Sequence, residues 1–239
     1  MIWVYGICDR PDMPLPRRRG LAQAPLDGVR EGGLVAVISR HVHPPGDPAL
    51  DTMWVHERVV ERIMADRTVL PMRFGSKLPD EGALRDILAA NREAFLAALD
   101  RVRGRLEVGV RAMQPLEAST AVDVPPPMSG ADVAMSGRAY LEAKLQNGRR
   151  TDHAAGVLHE PLAKLAIDAR RQPPRAPLEI LRASYLIDAV VLARFRGTVE
   201  RLQRTHPGVA ILCTGPWPPY SFVTAVASVP AEPTAGGAR

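Results

Sequence analysis

At 239 residues, 46% hydrophobic and 24% charged, the chain has room for one large or two small soluble domains, and no apolar run approaches the ~18–20 residues of a membrane helix. Two cysteines exclude a disulfide framework and point to a reduced, cytoplasmic setting. The net charge of +5 comes from arginines that alternate with acids, with three lysines and 5% aromatics, a pattern of solvated helix faces rather than of a nucleic-acid site with its stacking platforms.

Met1–Cys8 (MIWVYGIC) is apolar, lacks a basic flank and meets Asp9 and Arg10 at once, so it reads as a buried strand and not as a secretory leader. Asp9–Gly33 is crowded with Pro, Gly and Arg and reads as a long loop or weak hairpin arm. Leu34–Ser39 (LVAVIS) is a second buried strand. After the loop His41–Leu50, Asp51 is a candidate N-cap for a helix over Thr52–Asp66, with Met53, Val60, Ile63 and Met64 on its apolar stripe. Thr68–Phe74 (TVLPMRF) is a third strand, in which Pro71 marks an edge, a bulge or an end because proline cannot donate to the ladder. Asp80–Val102 is the strongest helix, striped by Leu84, Ile87, Leu88, Phe95, Leu96 and Leu99 and stopped by Gly104. Arg105–Met113 alternates as a half-exposed strand. The order β-β-α-β-α-β over residues 1–112 suggests an α+β, ferredoxin-like domain of variant type, with two helices on one face of an antiparallel sheet.

Residues 113–136 form a proline-rich linker centred on Pro125-Pro126-Pro127. Gly137–Gln172 is mostly helical by composition, and Pro161 should kink or break it. Leu178–Ile187 is a strand, Asp188–Thr205 a helix aligned by Leu192, Phe195, Val199 and Leu202, and Val209–Thr214 the last core strand. Residues 137–225 thus make a second, α+β domain with a long helix. The tail 226–239 has no core pattern and is expected to be disordered.

The chemical inventory is sparse. His41, His43 and His56, even with Asp47 and Asp51, match no familiar zinc spacing; the first two read as loop histidines and His56 as a packed ring. Ser39, Ser76, Ser184 and Ser221 lack a nucleophile elbow. Cys8 and Cys213 sit in strand patterns as small apolar residues. Neither Gly32-Gly33 nor Gly75 has the strand–loop–helix setting of a phosphate cradle. No catalytic residue, metal site or cofactor is expected. What stands out is Gly215–Phe222 (GPWPPYSF), where three prolines hold Trp217 and Tyr220 on a stiff extended backbone. Such a segment plugs a core or presents a preordered aromatic surface to a partner.

In order along the chain, MIWVYGI, GLVAVIS (33–39), His56 on its helix, VLPMRFG (69–75), GRLEVGV (104–110), GRAYL (137–141) and GPWPPYSFV (215–223) resemble the gas vesicle GvpF/GvpL family over residues 2–224. The Pro-Met-Arg-Phe-Gly strand end and the closing aromatic segment are the most specific of these. The loop Asp9–Gly20, the linker and the tail depart from the family pattern. The resemblance implies a two-domain α+β protein, neither enzymatic nor cofactor-dependent. It would be an accessory or minor structural component of the gas vesicle that binds the shell protein GvpA and other accessory proteins, with no nucleic acid and no membrane. Pro216, Trp217, Pro218, Pro219, Tyr220 and Phe222, with Arg73 and Phe74, are the candidate interaction or structural residues. The competing reading, an enzyme or small-ligand binder on a ferredoxin-like scaffold, requires a closed apolar pocket into which His41, His43 or His56 converge.

Overall fold

The computed structural model describes residues 1–12, 14–15, 17–43, 50–114, 142, 145, 151–176 and 178–223. Residues 115–136 of the linker and the tail therefore lie outside the described residues, while Met113, placed in the linker from sequence, ends a strand. The chain divides into two compact units. Unit one is Met1–Glu107 together with the chain from Pro216 onward, and unit two is Val108–Gly215. Pro216–Val223, read from sequence as the end of the second domain, is thus grouped with the amino-terminal residues.

Unit one is built on β1 (Ile2–Cys8), β2 (Leu26–Glu31), β3 (Leu34–Arg40), β4 (Val69–Pro71) and β5 (Lys77–Leu78). The order is β2-β3-β1-β4, with β5 beside β4 on the same flank of β1. The pairings β1–β3, β1–β4, β1–β5 and β2–β3 are all antiparallel. β2 arises inside the stretch expected to be loop. Gly32 and Gly33, at φ 55° and 83°, make the tight turn that side-chain-bearing residues resist, and this turn pairs β2 with β3 as a hairpin. The Thr68–Phe74 strand is regular only as far as Pro71, but Met72 N still donates to Tyr5 O and Val4 N donates to Ser76 O, each at 2.9 Å, so the chain stays against β1 until β5 pairs with it from Lys77.

β1 carries one extra residue. Val4 faces Ile38 and Gly6 faces Val37, so Tyr5 is a bulge and the side-chain alternation changes phase there. Gly6 also lies where a Cβ would meet Val69 Cγ2 at 2.5 Å, so its lack of a side chain permits the close approach of β4.

Helices cover both faces of this sheet, not one. Ile2, Val4, Ile7, Leu34, Ala36 and Ile38 pack with Leu84 and Leu88 of α2 (Glu81–Ala90) and Phe95, Leu99 and Val102 of α3 (Arg92–Val102). Trp3, Tyr5, Cys8, Val35 and Val37 pack on the other side with Val59, Val60 and Ile63 of α1 (Leu50–Asp66). The physical reason is visible in β1 and β3, whose unbroken apolar runs need a cover on each face. α1 begins at Leu50, which places Asp51 in its first turn and not at the cap, and Met53, expected in the stripe, is 45% exposed. The single helix expected over 80–102 is two, interrupted at Asn91, whose backbone leaves the helical region at φ −112° and ψ 17° while its side-chain amide joins its own N–H on Ile87 O at 2.9 Å. Asp80 caps α2 by accepting from Ala83 N at 2.9 Å.

Unit two holds β7 (Asp168–Arg171) and β8 (Glu179–Asp188) with the greater part of β6 (Arg105–Met113), from Val108 on, and of β9 (Ala210–Trp217), up to Gly215; the order in this four-stranded sheet is β7-β8-β6-β9. β6, expected in the first sheet, is central here, between β8 and β9. β7 occupies the end of the stretch expected to be helical, antiparallel to β8 from Asp168↔Leu186 to Arg171↔Ala183. Residues 142, 145 and 151–163 are helical (151–163 is α4), and α4 ends two residues after Pro161. α5 (Leu192–Thr205) follows a short 3-10 turn and buries Phe195, Thr198, Val199 and Leu202. Tyr185 of β8 joins both helices to the sheet, meeting His159 Nδ1 at 2.8 Å and the Phe195 ring at 5.2 Å.

Candidate functional site

The aromatic segment is a strap fastened to unit one. The Pro218 and Pro219 carbonyls accept from Tyr220 N at 2.8 Å and Phe222 N at 3.0 Å, which turns the chain into the short helix α6 (Tyr220–Val223). Phe222 and Val223 are buried, and Val223 joins the core beneath α2 and α3. Two carboxylates hold the strap. Glu107, 7% exposed, accepts from Ser221 N at 2.8 Å and from Ser221 Oγ at 2.6 Å. Glu57 on α1 accepts from Tyr220 Oη at 2.9 Å. Burial, reinforced by Glu61 and Glu107, raises the Glu57 carboxyl above its usual range despite the tyrosine's hydrogen bond. Burial and Glu57 likewise push Tyr220 well above an ordinary phenol. Of the candidate residues here, Pro218, Pro219 and Phe222 are buried, Trp217 and Tyr220 half-buried, and Pro216 exposed.

Arg73 and Phe74 lie in the turn between β4 and β5, where Gly75 takes φ 92°. Arg73 points to solvent. Phe74 packs edge-on against Trp3 at 5.0 Å and against His56 at 5.8 Å. His56, 2% exposed, is fully engaged. Its Nδ1 accepts from Trp3 Nε1 at 3.0 Å, so its Nε2 carries the proton donated to Met72 O at 2.8 Å. Burial lowers its pKa to about 4, with the Met72 bond opposing. This ring is a structural brace.

The remaining polar groups of unit one do not converge. His43 is exposed. His41 Nε2 meets Ser39 Oγ at 2.7 Å, the spacing of a nucleophile and its base, but Ser39 is fully buried and also bonded to Tyr5 Oη at 2.8 Å. An incoming carbonyl carbon cannot reach such a hydroxyl. The groove beside His41, about 330 Å³, is open and brings Arg40 together with Asp80 and Glu81; His43 and His56 do not line it. Among the described residues no cluster of His, Cys, Asp or Glu has metal-binding geometry, and no helix is long and apolar enough to cross a membrane.

In unit two, β9 is an edge strand, although its sequence reads as core. Its Leu212 is 56% exposed and Ala210 is exposed. Two side chains of α5 brace its free side. Gln203 Nε2 donates to Val209 O at 2.7 Å while its Oε1 accepts from Ile211 N at 2.8 Å, and the Arg196 guanidinium donates to Gly215 O at 2.9 Å. Backbone direction alternates along a strand, so the odd positions face away from β6, and Cys213 lies between the two braces. Sequence reasoning missed Glu57, Glu107 and this edge. The two acids belong to distant helix and strand patterns, and an alternation count does not tell an edge from a centre.

Comparison with known proteins gives one answer over nearly the whole chain. The family described as "Gas vesicle synthesis protein GvpL/GvpF" matches residues 1–224. Gas vesicle protein F of Streptomyces sp. (strain CB03234) is 30% identical over 239 residues, covering 92% of this chain and 98% of the relative. Gas vesicle protein L of the same strain is 28% identical over 249 residues, covering 92% and 91%. In fold, the crystal structure of GvpF from Anabaena sp. PCC7120 superposes with a TM-score of 0.78 at 22% identity, covering 93% of this chain and 95% of that one. GvpF from Microcystis aeruginosa gives 0.76 at 19%, covering 93% and 98%.

Proposed function

Since the chain belongs to the gas vesicle synthesis protein GvpL/GvpF family, we propose that it serves gas vesicle assembly by binding the shell protein GvpA, as a non-enzymatic accessory or minor structural component located at the intracellular gas vesicle. The observation that carries this reading is the outer edge of β9, open between its two braces at Cys213, with Leu212 56% exposed beside it. A strand edge is a template for another chain's extended segment, and at the stretch around Cys213, between the Gln203 and Arg196 braces, an apolar shell subunit gains main-chain hydrogen bonds together with side-chain burial against Leu212. The aromatic strap supports a mainly internal role for Pro218, Pro219 and Phe222. Trp217 and Arg73, more open to solvent, are the candidates for contact with further vesicle proteins.

Co-expression with tagged GvpA tests the proposal. Leu212→Lys places a charge on the edge and should abolish co-purification while leaving the circular dichroism spectrum unchanged. Trp217→Ala should leave most GvpA binding in place. A wild-type chain that never retains GvpA refutes the partner, whereas a fully active Leu212→Lys variant refutes the edge as its docking place.

A further inference from the structure

A different surface of unit two points to a second kind of partner. The end of α4 and the first half of α5 enclose an open groove of about 560 Å³, lined by Lys164, Arg194 and Arg201 together with Leu165, Gly197 and Thr198. All three cations are exposed. Among the described residues no carboxylate lines the groove, and none of the three cations forms a salt bridge. That sets them apart from Arg40, Arg85, Arg103 and Arg111, each of which is paired with an acid. The Arg201 guanidinium leans over Thr198, donating to its Oγ1 at 3.3 Å, while that hydroxyl donates back to Arg194 O at 3.0 Å. The guanidinium is thereby held along the groove wall. Gly197 opens the floor, since a Cβ there would have nothing within 4 Å.

From these observations we infer that the groove receives an acidic polypeptide segment of a partner protein. Arg194 and Arg201 stand seven positions apart on one helix, about 10 Å along its axis. One phosphate group is too small to bridge them. Two carboxylates on a peptide, separated by two helical turns or by three extended residues, match that spacing. Leu165 and Pro161 offer an apolar contact for a side chain between the two acids, and Lys164 faces them from the opposite wall. Among the described residues no aromatic ring lines the groove for a base to stack on, which favours a polypeptide over a single-stranded nucleic acid. This inference stands apart from the shell-protein reading, because it rests on the charge and spacing of the groove alone.

The test is fluorescence anisotropy on the full chain with a labelled peptide that carries Glu at its first and eighth positions and Leu between them. Its Gln counterpart and a duplex oligonucleotide serve as competitors. The Glu peptide should bind, and Arg194→Gln or Arg201→Gln should each weaken it about two- to fivefold. The combined Lys164→Gln, Arg194→Gln, Arg201→Gln variant should lose at least about tenfold, and raising salt from about 0.05 to about 0.3 M should weaken the wild type. Replacing Arg17, Arg18 and Arg62 of unit one by Gln removes the same charge and should change nothing. Equal binding by the triple variant and the wild type overturns the inference. So does a duplex that displaces the peptide and itself loses affinity in the triple variant, since the groove then belongs to nucleic acid.

Discussion

Replacing His56 by Gln should flatten the acid dependence of stability. The imidazole is 2% exposed, with its pKa lowered from 6.5 to about 4 by burial. The unfolded chain therefore takes up a proton near pH 6.5, while the folded chain refuses it until about pH 4. Stability falls across that window at up to about 1.4 kcal/mol per pH unit, and the fall levels off below the folded value. Between pH 7 and pH 5 the imbalance amounts to about 2 kcal/mol lost by the wild type. A glutamine amide can donate to Met72 O and accept from Trp3 Nε1, keeping both bonds without a titrating group. Urea unfolding of both proteins between pH 7 and pH 5, followed by far-ultraviolet circular dichroism, supplies the measurement. The two chains share every carboxylate, so the difference between their curves isolates the ring. Parallel curves would refute the reasoning, because they mean that the buried ring charges freely in the folded state.

Three further outcomes are expected. Glu107→Gln leaves one oxygen to serve the two Ser221 donors and should cost about 1–3 kcal/mol in urea unfolding, more than Ser221→Ala. Gly6→Ala pushes a methyl into Val69 and the Leu70 carbonyl, 2.5 and 3.1 Å away, and should lower stability by about 1–3 kcal/mol, with Val69→Ala in the same chain recovering part of the loss. Cys8 is buried and its thiol is pushed up to about 12, whereas Cys213 is partly exposed. Iodoacetamide at neutral pH should therefore label Cys213 alone until the protein is unfolded.

Sequence patterns identify elements better than neighbours. The spacing of apolar residues located α1, β1, β3 and β8 to within a residue or two, because each signal is local, whereas α5 starts four residues later than expected, after a 3-10 turn. The pairing of β6 is not local. Leu106, Val108, Val110 and Ala112 alternate as any half-buried strand would, and nothing in them names β8 and β9 as partners. The three-layered arrangement of unit one was legible but outvoted: the continuous apolar runs of β1 and β3 already demanded cover on two faces, while the order of elements suggested one. Asn91 is a different case, since helix propensity allows it and only its non-helical backbone, at φ −112° and ψ 17°, reveals the break. At the strap, the prolines and aromatics announced a special segment, but its two acidic anchors come from positions 163 and 114 residues away and carry no motif.

The division of the chain has a consequence for how the molecule is made. Unit one begins with β1 and is completed by a strap that follows all of Val108–Gly215. During synthesis the amino-terminal sheet can form early, but the place of Phe222 and Val223 stays vacant while more than a hundred further residues are added. Its apolar floor is open to other chains for all of that time. Unit two, a continuous stretch, can finish folding before its neighbour is sealed. The final residues of the strap therefore act as a closing step, and a ribosome that stalls short of Pro216 would release a chain whose first-made half is still unfinished.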